Sequence, residues 1–177
     1  MRAYSLSYNE PDLFRFNVIH KKFATHLKMH VYGDFLTTKE FTHTSTVLKD
    51  TLPSIFASKC FNDLGFTFEK EVQATEIGHL FEHIILEYLC LSKIDSGYKE
   101  ALYIGKTRWN WIKEPTGLFH ITLNVPQEEK KLLYVSLSKG IVLLRKIMLS
   151  HSHYSSKKTG IYPQTLLPFF PMGKQME

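Results

Sequence analysis

The chain has 177 residues, 44% hydrophobic and 22% charged, which fits one soluble globular domain, with or without a loose tail. Its two cysteines are too few for a disulfide framework, and it has neither the apolar run of a signal peptide at its start nor any stretch approaching the roughly 18 apolar residues of a membrane span, so a cytoplasmic location without a membrane partner is expected. A net charge of +5 invites a polyanionic partner, but Lys and Arg are scattered, with no run longer than pairs such as Lys21-Lys22 and Lys130-Lys131, which weighs against nucleic acid.

In chain order, a first strand is expected near residues 13–19, paired as a hairpin with a second over 23–32, where Phe23, Leu27, Met29 and Val31 alternate with polar residues and Gly33-Asp34 closes the run. Thr44 and Ser45 can cap a helix reaching to about Cys60, broken or restarted at Pro53. Residues 61–74 read as a connection. Thr75 is a suitable N-cap for a helix to about Cys90, whose broad apolar face (Ile77, Leu80, Phe81, Ile84, Ile85, Tyr88, Leu89) predicts burial. Short strands follow at 101–107 and 118–125, separated by a loop from Trp109 to Pro115. A last helix is expected over about 128–149, weakened modestly by Gly140. The order β, β, α, α, β, β, α fits an α+β two-layer domain, a mostly antiparallel sheet with helices on one face. The domain would occupy 1–150, and residues 151–177, with their prolines and apolar Leu166, Leu167, Phe169 and Phe170, would form an extended tail.

The chemistry concentrates in His79-Leu80-Phe81-Glu82-His83. On a helix, residues four apart share a face, so His79 and His83 can direct ring nitrogens at one metal ion, with Glu82 beside them. This H-x-x-E-H spacing is typical of inverzincin peptidases, in which two imidazoles bind zinc and the carboxylate serves as acid/base. Glu87, four residues after His83, is a candidate acceptor for its second ring nitrogen. Gly78 either leaves the site open or permits close helix packing. One helix supplies two ligands, and the third must come from elsewhere: Glu128 or Glu129, His120, Cys60 or His30. Trp109 and Trp111 are candidates for ligand stacking or interior packing.

The segments LPSIFASKC at 52–60, GHLFEHIILEYL at 78–89, GKTR at 105–108 and GLFHITLNVPQEE at 117–129 together resemble the N-terminal domain of cyanophycin synthetases in order and spacing over roughly residues 50–145. Departures are the single Gly65 where the family is Gly-rich, Lys106 in place of an Arg, and the helix after Glu129. The resemblance implies a freestanding copy of that domain, binding an amino-acid polymer and resembling a metallopeptidase. It implies zinc on His79 and His83, Glu82 as catalytic acid/base, Glu128 (or Glu129) as third ligand, and Arg108 as a partner for a substrate carboxylate. The expected function is therefore zinc-dependent hydrolysis of a peptide or isopeptide bond. A non-catalytic polymer- or peptide-binding accessory module is the alternative.

Overall fold

In the computed structural model, which describes residues 5–60 and 67–150, three strands open the chain: β1 (Ser5–Glu10), β2 (Phe14–His20) and β3 (Thr25–Val31). Strict alternation in β2 sends Phe14, Phe16 and Val18 inward and leaves Arg15, Asn17 and Ile19 in solvent. β1 was not anticipated, because only Leu6 and Tyr8 mark its inward face. Its hairpin turn places Asp12 at φ 63°, a left-handed conformation that Asp tolerates better than most residues. Helix α1 (Thr44–Thr51) is shorter than expected. Its cap position is His43 rather than Thr44 or Ser45, and Pro53 starts a separate 3₁₀ turn over Pro53–Ala57. The connection before the central helix contains a short helix, α2 (Phe68–Glu71).

The central helix α3 runs from Ile77 to Asp95. Strand β4 (Gly105–Arg108) starts later than expected, β5 (Leu118–Leu123) follows the tryptophan loop, and α4 (Lys130–Leu149) closes the described chain. All pairings are antiparallel in the order β1-β2-β3-β5-β4, so the expected two-layer α+β architecture is observed. Gly117, at φ 81°, feeds β5 beside β3, where a Cβ would meet the Val31 carbonyl at 2.3 Å.

Helix α3 packs against β3, β4 and β5, and α4 packs on α3. The core between the layers gathers Phe14, Phe16, Phe81, Phe119, Leu80, Ile84, Leu137 and Leu144, all at most 1% exposed. Gly140 faces α3, where an added Cβ would meet Phe81 and Ile84 at 3.4 Å. Trp109 and Trp111 pack edge-on against Phe119, with centroids 5.9 and 5.6 Å away, so packing accounts for the partly buried Trp111, whereas Trp109 keeps 37% of its surface exposed. No helix of the described residues is long and apolar enough to cross a membrane. The expected tail 151–177 lies outside the described residues.

Candidate metal centre

Three potential ligand residues, Cys60, His79 and His83, present ligand atoms that all lie within 4.8 Å of one another. The two histidines come from the first two turns of α3, and their rings stand 4.9 Å apart by centroid. Cys60 arrives from the segment after the 3₁₀ turn, and its Sγ is 3.6 Å from the His79 Nε2. Ligand atoms around a tetrahedral zinc are separated by about 3.3–3.8 Å, given Zn–N near 2.0–2.1 Å and Zn–S near 2.3 Å, so the trio needs little adjustment to share one ion.

The surrounding hydrogen bonds prepare the imidazoles for that task. The Ser58 hydroxyl donates to the Ile55 carbonyl at 2.6 Å, so its oxygen is left to accept from the His83 Nδ1–H at 3.2 Å. This fixes the proton on Nδ1 and leaves the Nε2 lone pair as the ligand. His79 Nδ1 meets the Thr75 hydroxyl at 2.9 Å, which directs its Nε2 toward Cys60. Thr75 is itself held fully buried by backbone contacts with Thr38. Thr75 was expected to cap α3, but Glu76 occupies the cap position and the Thr75 side chain is spent on the histidine. The His83 ring stacks on Phe68 of α2 at 4.0 Å. Burial lowers the His83 pKa to about 3, and the neighbouring His79 adds to the shift. Burial also lowers that of His79. Both rings are thus neutral at physiological pH, the form that binds a metal.

Glu82 stands outside this trio. It is 5% exposed, and its Oε2 accepts the Thr107 hydroxyl of β4. Its Oε1 lies over Gly105, where an added Cβ would come within 2.6 Å. Burial raises the Glu82 pKa to about 7, with the Thr107 hydrogen bond working in the opposite direction. A carboxyl that titrates at neutrality on a buried helix face is suited to proton transfer.

The remaining expected site residues are elsewhere. Glu129 pairs with Lys93 and accepts the Tyr103 hydroxyl at 2.8 Å. Although burial alone would raise its pKa, those two donors hold it below the ordinary carboxylate value. Lys93 lies fourteen residues beyond His79 on α3, about 21 Å along the axis at 1.5 Å per residue. Glu129 and its exposed neighbour Glu128 therefore sit at the wrong end of α3 to be the third ligand; that position falls to Cys60. His120 and His30 belong to the opposite sheet face, where His120 engages Glu114 at 2.8 Å and His30 approaches the Thr116 carbonyl. Ser58, not Glu87, holds the His83 Nδ1. Arg108 points outward, because β4 turns Thr107 inward to Glu82 and leaves Arg108 exposed. Ser58, Thr75 and Thr107 escaped the sequence reading as site residues: no spacing rule marks a hydroxyl that acts on a histidine or carboxylate from another element.

Ser58→Ala is expected to leave the fold intact and to weaken metal binding roughly 10- to 100-fold, the usual effect of removing the partner that orients a ligand. Competition titration with a chromophoric chelator measures this, and an unchanged affinity would refute the orienting role.

No protein-family model matches this chain, and no curated protein is significantly similar to it.

Proposed function

We propose that this protein is a zinc-dependent hydrolase of a peptide or isopeptide bond, in which Cys60, His79 and His83 hold the metal and Glu82 moves the proton. One observation carries this reading: a thiol and two neutral imidazoles converge on one point, and the helix residue just before His83 carries a buried carboxyl with a pKa of about 7. The donor set fits the ion, since sulfur and imidazole nitrogen are zinc's preferred ligands, and three protein ligands leave one position open. When bound, zinc supplies a Lewis acid that polarises a carbonyl and makes water nucleophilic near neutral pH.

The chain's own residues do the rest. Ser58 and Thr75 hold the two rings in their ligating orientation. Glu82 takes a proton from the attacking water and returns it to the leaving nitrogen, and its pKa near 7 makes both transfers accessible at one pH. Thr107 fixes the carboxylate on the β4 side of α3. The substrate class that the sequence resemblance implies is an amino-acid polymer of the cyanophycin kind.

Metal analysis by mass spectrometry tests the centre. Purified wild-type protein is expected to carry about one zinc per chain, and His83→Ala and the gentler His83→Gln to lose it. A wild-type protein that binds no zinc when zinc is supplied would overturn the hydrolase and leave a non-catalytic polymer- or peptide-binding module.

A further inference from the structure

Among the described residues the sheet ends on β4, which pairs with β5 alone and has no strand on its outer edge. Along an antiparallel pair, residues alternate between those that exchange backbone hydrogen bonds with the neighbouring strand and those that do not. The Asn124 N–H donates to the Ile104 carbonyl at 2.9 Å, which places Ile104, Lys106 and Arg108 in the bonded set. The N–H and C=O of Gly105 and Thr107 therefore face the outer edge. Among the described residues, no backbone group outside the sheet takes them up.

Side chains follow a second alternation. Gly105 and Thr107 face inward, where both meet Glu82. Lys106 and Arg108 face outward and are exposed. A cross-strand row carries the positive charge inward from that edge, since Arg108 lies opposite His120 and His120 opposite the exposed Lys28. The carboxylate that approaches this row, Glu114, is engaged by His120 at 2.8 Å. Exposed cations on an edge strand deter pairing with another basic edge, and the same cations select a strand of opposite charge.

We propose that the β4 edge takes up an extended acidic peptide as a sixth strand of the sheet. Acidic side chains at every second position would face Lys106 and Arg108, and the residues between them would pair with Gly105 and Thr107 and turn their side chains toward Glu82. That the bound chain is also the one cleaved rests on the hydrolase reading; the binding itself does not need the metal.

Fluorescence anisotropy on the full chain in chelator tests the proposal with a labelled peptide of four Thr-Glu repeats. A block peptide of four Thr followed by four Glu keeps the charge and removes the alternation, and four Thr-Lys repeats reverse the sign. The alternating acidic peptide is expected to bind, and the double variant Lys106→Glu/Arg108→Glu to weaken it by about tenfold or more. N-methylation of the peptide's Thr residues should abolish binding, because their N–H groups face β4, whereas N-methylation of its Glu residues should be tolerated. Absence of binding, equal binding of the block peptide, or indifference to which residues are methylated would each overturn the proposal. One zinc per chain with no peptide binding would remove this inference and leave the hydrolase standing, and peptide binding without zinc would do the reverse.

Discussion

Glu82→Gln is expected to lower the proposed hydrolysis steeply and, at pH 8, to make the metal-free fold more stable than wild type. The wild-type carboxyl titrates at about 7 in the fold, against a reference of 4.5. Because the folded state holds this proton more tightly, the stability it contributes is complete below about pH 4.5 and is lost as pH rises through 7. At about 1.36 kcal/mol per unit, the loss amounts to about 3 kcal/mol by pH 8. Glutamine occupies the same space, can accept the Thr107 hydroxyl and carries no charge to bury. Urea unfolding in chelator should thus show variant and wild type nearly equal at pH 5, with the variant ahead by about 2–3 kcal/mol at pH 8. Loss of a positioned acid/base costs about 10²- to 10⁴-fold in rate, so hydrolysis should fall by that much. Gain of stability with loss of activity is the signature of a destabilised catalytic group. A variant that is no more stable at pH 8 than at pH 5, relative to wild type, would show that Glu82 is not held in this environment.

The two histidines set the opposite slope. His83 has a folded pKa of about 3 against 6.5, so its contribution is present above about pH 6.5 and is lost as pH falls toward 3. Between about pH 4.5 and 6.5 the falling Glu82 term and the rising His83 term have equal and opposite slopes, and together they leave little pH dependence. The metal-free protein therefore loses stability from these groups on both sides of that window. A bound metal holds His83 unprotonated and removes the acid-side loss only until protons compete for the ligands.

Much of this architecture is legible in the chain. β3 and β5 declare themselves by alternation, α3 by an apolar face too broad for a surface helix, and the histidine pair by its spacing of four. The two-layer arrangement follows, because strands and helices with one buried face each can cover one another in few ways. The third ligand was not legible, since it depends on which way α3 lies across the sheet. Gly78 contacts Phe119 early in β5, Glu82 lies under Gly105 opposite Leu123 at its end, and Lys93 meets Glu129 beyond it. Helix and strand thus run the same way, and Glu128 and Glu129 emerge at the end of α3 remote from His79. Cys60 reaches the histidines only because Pro53 breaks the preceding helix and turns the chain back across α3.

Gly78→Ala is expected to destabilise the protein by about 2 kcal/mol, although alanine is the better helix former. A methyl group there would lie 2.3 Å from Cγ, 2.5 Å from Cδ1 and 2.8 Å from Cβ of Phe119. Phe119 is fully buried and is boxed in by Trp109 and Trp111, so its ring cannot swing aside. The first turn of α3 would have to lift from β5, carrying His79 with it. Overpacking of this kind costs about 1–3 kcal/mol, and more when rigid atoms collide, against at most about 1 kcal/mol of helix propensity regained. Gly140 is the matched control. A methyl group there meets Ile84 and Phe81 at 3.4 Å, so a few tenths of an ångström suffice and Gly140→Ala should be close to neutral. If the collision with the ring is the cause, Phe119→Ala, which removes Cγ and Cδ1, should cost less in the Gly78→Ala background than in wild type, a positive coupling that chemical unfolding of the four proteins resolves. Additive losses would mean that α3 meets the sheet differently, and the glycine before His79 would then be explained by access to the metal centre rather than by packing.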